Sequence, residues 1–305
     1  MLAVTNLWFK RASTGGLVHL YLSTSGGIEG KPRICAVSYL NTAPLVWGLL
    51  HGPQRNAAEL SFAIPSECAR RVVAAEADLG IVPVIEMDRH ALRPVSGLCI
   101  ACRGEVRSIL LFSRKPWAEV ETLAADIGSR TSVELARIVL REQFGASPRV
   151  LAMPPSLDAM LSRADAALLI GDAALAAEPE RTGLEWLDLG QAWFDLTGLP
   201  MVFAVWAGRQ DAPLAGVDAL LEESFSYGQD RMDAIIKSEA DSRGFSRELV
   251  AHYFERHVRF RLGGAERSGL EAFLRAARSL DGAPAPRELT ADDDAERSSR
   301  TVPQR

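Results

Sequence analysis

The groups in this sequence best suited to chemistry are small polar side chains placed where a strand hands over to a helix. Val37-Ser38-Tyr39-Leu40-Asn41-Thr42-Ala43-Pro44 is one such junction, and Ser129-Arg130-Thr131-Ser132-Val133-Glu134 is another. A helix start leaves backbone N–H groups free and carries the positive end of the helix dipole, so both junctions suit a carboxylate. In the first, Asn41 or Thr42 can cap the helix and Pro44 suits its first turn. Asn41 then either serves only as the cap or turns its amide to a ligand. In the second, Thr131 and Glu134 fit a capping box, with the helix expected to run to Phe144 before Gly145 ends it. The hydroxyls of Thr131 and Ser132 are either ligand contacts or capping groups. Arg130 either adds a charge-assisted bond to an anion or pairs with Asp126.

Ser108 interrupts the apolar run Val106–Phe112, where its hydroxyl must find a partner in the backbone or in a neighbouring cleft. Glu86 and Asp172 are the carboxylates nearest the expected cleft loops, available as acid or base or else used in a cap or salt bridge. The familiar catalytic arrangements are missing: there is no G-x-S-x-G, phosphate-binding loop, dinucleotide fingerprint or H-E-x-x-H. His51, His90, His252 and His257 have no evident partner and read as surface or packing groups. Cys99 and Cys102 form a CxxC, but no second pair of metal ligands lies nearby. On a strand, residues three apart face opposite sides, so the cysteines read as buried small hydrophobes. They provide no disulfide framework and fit a reducing compartment. The aromatic stretch Asp188–Pro200 can wall a pocket for a planar ring or simply pack, and Trp193 reads as packing.

The elements that must position these groups alternate between strand-type and helix-type runs, which is α/β architecture. Strands are expected at Arg33–Tyr39, Leu60–Ile64, Leu79–Val82, Gly97–Arg103, Val106–Ser113 and Val202–Trp206. Helices are expected at Pro44–Leu50, Ser66–Ala77, across Leu214–Arg243 and at Glu266–Leu280. An internal echo adds to this. Ile64-Pro65-Ser66 opens a helix that closes at Ala77-Asp78 before apolar Leu79–Val82 and Pro83. Pro154-Pro155-Ser156 likewise opens a helix that closes at Ala164-Asp165 before Ala166–Ile170 and Gly171-Asp172. Serine, with Ser66 in the first copy, is placed as an N-cap. The echo implies two similar lobes in series, with the loops after their strands aimed at one cleft. The first lobe takes residues 31–105 and 203–280, and the second takes 106–202.

Hydrophobic residues at 48% supply a full core, and a net charge of -5 without a basic stripe speaks against a nucleic-acid partner. No apolar run reaches the length of a membrane span. Residues 1–30 imitate a signal peptide only faintly and read as an extension outside the fold, while the proline- and charge-rich 281–305 read as a disordered tail.

Six collinear segments resemble the family of menaquinone-pathway chorismate dehydratases, which act in the futalosine route. They are Val37–Pro44, Ile64–Glu86, Gly104–Ser113, Ser129–Ser132, Ile170–Leu175 and Gly198–Trp206, within a match over about residues 33–278. His257 and Arg259 lie where the match is softer. The resemblance implies a two-lobed fold of the type II periplasmic-binding-protein kind with a ligand cleft between the lobes, in a cytoplasmic lyase. It implies conversion of chorismate to 3-[(1-carboxyvinyl)oxy]benzoate and water without metal or organic cofactor. On it, Asn41 and Ser108 are expected to steer the reacting portion. Thr131 and Ser132, with Gly171 and Asp172, are expected on the same resemblance to face the substrate, and Arg130, Ser66 and Glu86 join them as substrate-holding candidates from their positions in the chain. The base is left open among Glu86, Asp172 and the substrate's own enolpyruvyl carboxylate. A sister enzyme of the 1,4-dihydroxy-6-naphthoate type calls for a cleft histidine, and a solute receptor calls for an exported, anchored N-terminus.

Overall fold

A computed structural model describes residues 30–281, so the expectations for residues 1–30 and 281–305 fall, apart from Gly30 and Asp281, outside it. The chain opens with β1 (Arg33–Val37), whose residues after Arg33 are all buried. A single 3-10 turn at Leu40–Thr42 leads into α1 (Ala43–His51). Then come β2 (Glu59–Ala63), α2 (Pro65–Val73), β3 (Leu79–Pro83), α3 (Val84–Arg89) and β4 (Arg93–Cys102). The next strands build a second sheet: β5 (Ile109–Ser113), then β6 (Thr122–Asp126) and α4 (Thr131–Phe144). This half continues with β7 (Arg149–Met153), α5 (Leu157–Leu161), β8 (Ala166–Ile170) and α6 (Gly171–Ala176). It closes with β9 (Glu185–Asp188) and α7 (Leu189–Thr197). β10 (Met201–Gly208) returns to the first sheet, followed by α8 (Val217–Gln229), α9 (Met232–Arg243) and α10 (Arg247–His252). A π-helical turn at Tyr253–His257, β11 (Arg259–Arg261) and α11 (Gly264–Asp281) end the described chain.

The first sheet has the order β11-β4-β10-β3-β1-β2 and the second β7-β6-β8-β5-β9. β1 pairs in parallel with β2 and β3, and β6 with β7 and β8, while β10 and β5 run antiparallel to β3 and β8. The echo seen in the sequence is therefore real and longer than expected: β1-α1-β2-α2-β3-α3 matches β6-α4-β7-α5-β8-α6. Even the aspartate before the third strand repeats its task. Asp78 accepts the N–H of Arg33 at the start of β1, and Asp165 accepts the N–H of Thr122 at the start of β6. β3 and β8 are buried throughout, the signature of a strand covered on both faces. A fully buried leucine such as Leu79 or Leu168 contributes roughly 2 kcal/mol by leaving water.

Several expected boundaries move for local reasons. α2 stops at Val73, because Ala75 takes a left-handed φ of 59° and turns the chain so that Asp78 reaches Arg33. β5 begins at Ile109 rather than Val106, since Arg107 also has a positive φ, of 60°. The stretch from Leu214 to Arg243 is two helices, broken at Asp230-Arg231, where the Arg231 guanidinium folds back over the Tyr227 ring at 3.6 Å. α4 spans the expected residues, with Gly145 left-handed at its end.

Candidate functional site

Parallel strands of both sheets end at the same place. Past the carboxyl ends of β1, β3, β6 and β8 lies a cavity of about 60 Å³. Its polar lining comes from Tyr39 and Asn41 after β1, Ser108 before β5, Ser129 to Ser132 after β6, and Gly171 after β8. Val37, Ile100, Ile109, Ile170 and Phe203 supply apolar walls. Of the residues named from the sequence, Asn41, Ser108, Arg130, Thr131, Ser132 and Gly171 meet here, and Ser66, Glu86 and Asp172 stand outside the lining.

Asn41 does not cap α1. It sits inside the 3-10 turn, the turn is closed by the Thr42 N–H on Tyr39 O at 3.0 Å, and neither Asn41 nor Thr42 makes a side-chain cap. Asn41 Oδ1 is consequently buried with no partner among the described residues, as is Ser129 Oγ. A buried polar atom without a partner costs about 1–3 kcal/mol, so Asn41 Oδ1 stands ready to accept from a ligand and the Ser129 hydroxyl to accept or donate.

The capping box of α4 is not made. Arg130 occupies the cap position without a side-chain bond, and Glu134 instead pairs with Arg89 and Arg137, each at 2.8 Å. Thr131 is 3% exposed, and its hydroxyl donates to Phe203 O at 3.1 Å and accepts the Ile85 N–H at 3.5 Å. Both partners belong to the first sheet's side, so this hydroxyl ties the two halves together. What the start of α4 offers an anion is the backbone N–H groups of its first turn and the Ser132 hydroxyl. Arg130 donates to the carbonyls of Ser129 and Ile127, not to Asp126, whose carboxylate takes the Gly128 N–H.

Ser108 is 2% exposed and is aimed by strain. Its N–H bonds Val106 O at 2.7 Å across Arg107, a tight three-residue turn around a left-handed residue. Asp188 holds that turn by accepting the N–H groups of Val106 and Arg107, while also capping α7 through Gly190 and Gln191. Burial pushes the Asp188 carboxyl above its ordinary range, and the four backbone donors pull against it. The Ser108 hydroxyl accepts a hydrogen bond from the Tyr253 O–H at 2.9 Å.

The remaining candidates have other work. Ser66 is not an N-cap, since Ile64 holds that position. Its N–H and hydroxyl reach Gly128 O and Ile127 O across the cleft mouth. Glu86 pairs with Arg89 and His90, both at 3.3 Å. Asp172 accepts the Leu40 N–H at 2.9 Å and pairs with Arg243, which also donates to Ser38 O. Burial raises the Asp172 carboxyl against the lowering effect of these two donors. His90 therefore has a partner that the sequence did not reveal, and His257 meets Glu105 O at 3.2 Å. Trp193 packs, with its indole N–H on Pro200 O and its ring edge-on to Phe273. All four cysteines are free and buried.

Tyr39, Ser129 and Tyr253 were missed by residue type. Tyr39 and Ser129 fall inside the two junctions singled out, where adjacency to Asn41 and Thr131 was the available signal. Tyr253 lies in a separate segment and had none.

Comparison with known proteins adds to this geometry. A family profile described as menaquinone biosynthesis matches residues 32–279. The chain is 33% identical over 267 residues to a chorismate dehydratase of Thermus thermophilus, covering 82% of this chain and 94% of that one. Among solved structures, a protein from Archaeoglobus fulgidus superimposes with a TM-score of 0.67 at 17% identity, covering 82% of this chain and 98% of that one. The periplasmic aliphatic sulphonate binding protein of Escherichia coli follows with 0.55 at 15%, covering 83% and 87%. At such identities the structural likeness shows the fold alone, a periplasmic-binding-protein-like one with two sheets in two lobes.

Proposed function

The chain belongs to the menaquinone-biosynthesis family, and from that premise we propose that it is a hydro-lyase that converts chorismate to 3-[(1-carboxyvinyl)oxy]benzoate and water. The reading rests most on one observation. Asn41, Ser108, Ser132 and the start of α4, contributed by both halves of the molecule, line one cavity. Chorismate carries two carboxylates, a ring hydroxyl and a neighbouring C–H, and losing water makes its ring aromatic. That driving force leaves the protein to hold the diacid, keep water out, favour departure of the hydroxyl and place the proton acceptor.

In this reading a carboxylate sits at the N–H groups of α4 beside Ser132, with Arg130 at the cavity edge. Asn41 Oδ1 and Ser129 Oγ, unpartnered among the described residues, accept from or orient the substrate's hydroxyl-bearing face. Ser108 donates to the departing hydroxyl. The C–H bond breaks and its proton passes to the acceptor, its electron pair forms the ring double bond, and the C–O bond breaks; the departing hydroxide then takes that proton from the acceptor and leaves as water. Among the described residues lining the cavity none is a carboxylate or a histidine, and Glu86 and Asp172 are engaged in ion pairs outside it. The substrate's own enolpyruvyl carboxylate is thus the acceptor this reading favours. A biosynthetic role of this kind belongs in the cytoplasm. Among the described residues no helix is long and apolar enough to cross a membrane.

The test is incubation of the purified protein with chorismate, following the loss of the diene and the appearance of the benzoate by chromatography. One-for-one conversion is expected. Tight binding of chorismate with no product would instead make the protein a receptor, and conversion of a different precursor would make it a sister enzyme.

A further inference from the structure

The hydroxyl of Tyr253 lies deep in the molecule, where no ligand reaches it directly. The residue is 2% exposed, is absent from the cavity lining, and opens the π-helical turn Tyr253–His257 in the segment that returns to the first sheet. Such turns insert one extra residue per turn and re-aim side chains, and they concentrate at functional sites. Here the turn brings the Tyr253 O–H to 2.9 Å from Ser108 Oγ, which comes from 145 positions earlier in the chain. The Asn41 side chain approaches the same phenolic oxygen. Thus both residues expected to steer the reaction share one buried neighbour that the reaction does not touch.

A phenol has one proton to give, and a serine hydroxyl has one proton and two acceptor sites. We propose that Tyr253 is a positioning residue for the dehydration: by donating its proton to Ser108 Oγ, it leaves the Ser108 proton free to point into the cavity towards the departing hydroxyl. The inference rests on the proposed activity and deepens it. Three features fit this arrangement. Burial raises the Tyr253 hydroxyl well above the ordinary phenol range, so it keeps its proton. The Ser108 backbone is already fixed by the Arg107 turn and Asp188, leaving the hydroxyl rotor as the one free variable. The Ser108 carbonyl is engaged by the Gly171 N–H at 2.8 Å, which holds Ser108 against the other face of the cavity. Hydrogen-bond chains of this kind also polarise the terminal donor.

The experiment compares the native protein with Tyr253→Phe, Ser108→Ala and the double variant, in chorismate turnover and thermal unfolding. Tyr253→Phe is expected to lower kcat roughly 10- to 100-fold, with KM within about threefold and Tm within a few degrees. The double variant is expected to be no slower than Ser108→Ala alone, because Tyr253 acts through Ser108. 3-Fluorotyrosine at position 253, which keeps the hydroxyl, is expected to restore kcat to within about threefold of native. A kcat within twofold of native in Tyr253→Phe overturns the inference, as do losses that multiply in the double variant. So does a folded fluorotyrosine protein that stays slow. If Tyr253→Phe does not fold, the fluorotyrosine result alone decides. A native protein that leaves chorismate unchanged overturns the activity and this inference together, whereas an active native protein with an unaffected variant overturns the inference alone.

Discussion

The ring of Tyr39 lies where a side chain on Gly171 would have to be. A Cβ built on Gly171 meets three Tyr39 ring atoms at 2.7–2.8 Å, and Gly171 itself has a left-handed φ of 59°. Two junctions from different sheets, the one after β1 and the one after β8, close on each other at this point and leave no room for a methyl group. Position 171 is restricted twice, by conformation and by space.

Gly171→Ala is accordingly expected to cost about 1–2 kcal/mol from the backbone alone, and more from displacing Tyr39. Tm is expected to fall by roughly 3–6 °C, and kcat/KM for chorismate at least tenfold, because the displaced ring is a cavity wall. Calorimetry and steady-state kinetics on the same preparation check both. Native turnover in the Gly171→Ala variant would mean that the contact does not shape the site.

Asn41→Leu separates function from stability. Asn41 Oδ1 is buried and unpartnered, so removing it relieves a desolvation cost of about 1–3 kcal/mol. The variant is expected to melt at or above the native temperature while losing roughly 100-fold or more in kcat, as expected for a group that acts on the reacting centre. Native kcat in the variant would exclude Asn41 from the chemistry.

Asp172 acts as a clasp between the Leu40 N–H, Ser38 through Arg243, and α6. Its side chain is about a quarter exposed, so the ion pair is screened and its worth is about 1 kcal/mol. Asp172→Ala is expected to raise KM roughly fivefold while kcat stays within about threefold, since closure and not chemistry is weakened. A drop in kcat with unchanged KM would point instead to Asp172 as an acid or base.

Acid stability carries the signature of the repeated aspartates. For Asp78, burial works to raise the carboxyl, but the side-chain and backbone donors of Arg33 outweigh it and hold it below the ordinary value. For Asp165, burial is likewise outweighed, by Lys115, Thr122 and the N–H groups at the start of β6. A carboxyl lowered by folding adds stability that is fully present above its unfolded value of about 3.9 and is lost as pH falls through the folded one. The Tm difference between native protein and Asp78→Asn is therefore expected to be largest near pH 6 and to shrink towards pH 3. A difference that stays constant over that range would show that Asp78 does not titrate with unfolding.

Much of this was legible in the order of residues along the chain. Apolar runs bounded by proline, glycine and aspartate located most strands of the first sheet, because short buried strands need little beyond hydrophobicity and clean ends. Gly145 set the end of α4 for a local reason, its left-handed backbone. The Pro-Ser and Ala-Asp echo revealed the repeated half because each copy solves the same local problem, an aspartate taking the N–H groups that start a neighbouring strand. Likewise, hydroxyl and amide groups at helix starts marked much of the cavity before it was seen.

How those polar groups are used was settled by packing between distant segments. Thr131 and Glu134 spell a capping box, yet both bond across to residues about 45 or more positions away, since burial offered partners that a local cap does not. Glu86 and Asp172 look like acid–base candidates by position, but arginines and a backbone N–H claim them. The Tyr253–Ser108 bond joins residues 145 apart, and a hydrogen bond between distant segments leaves no periodicity or spacing in the chain for any reading of the sequence to find.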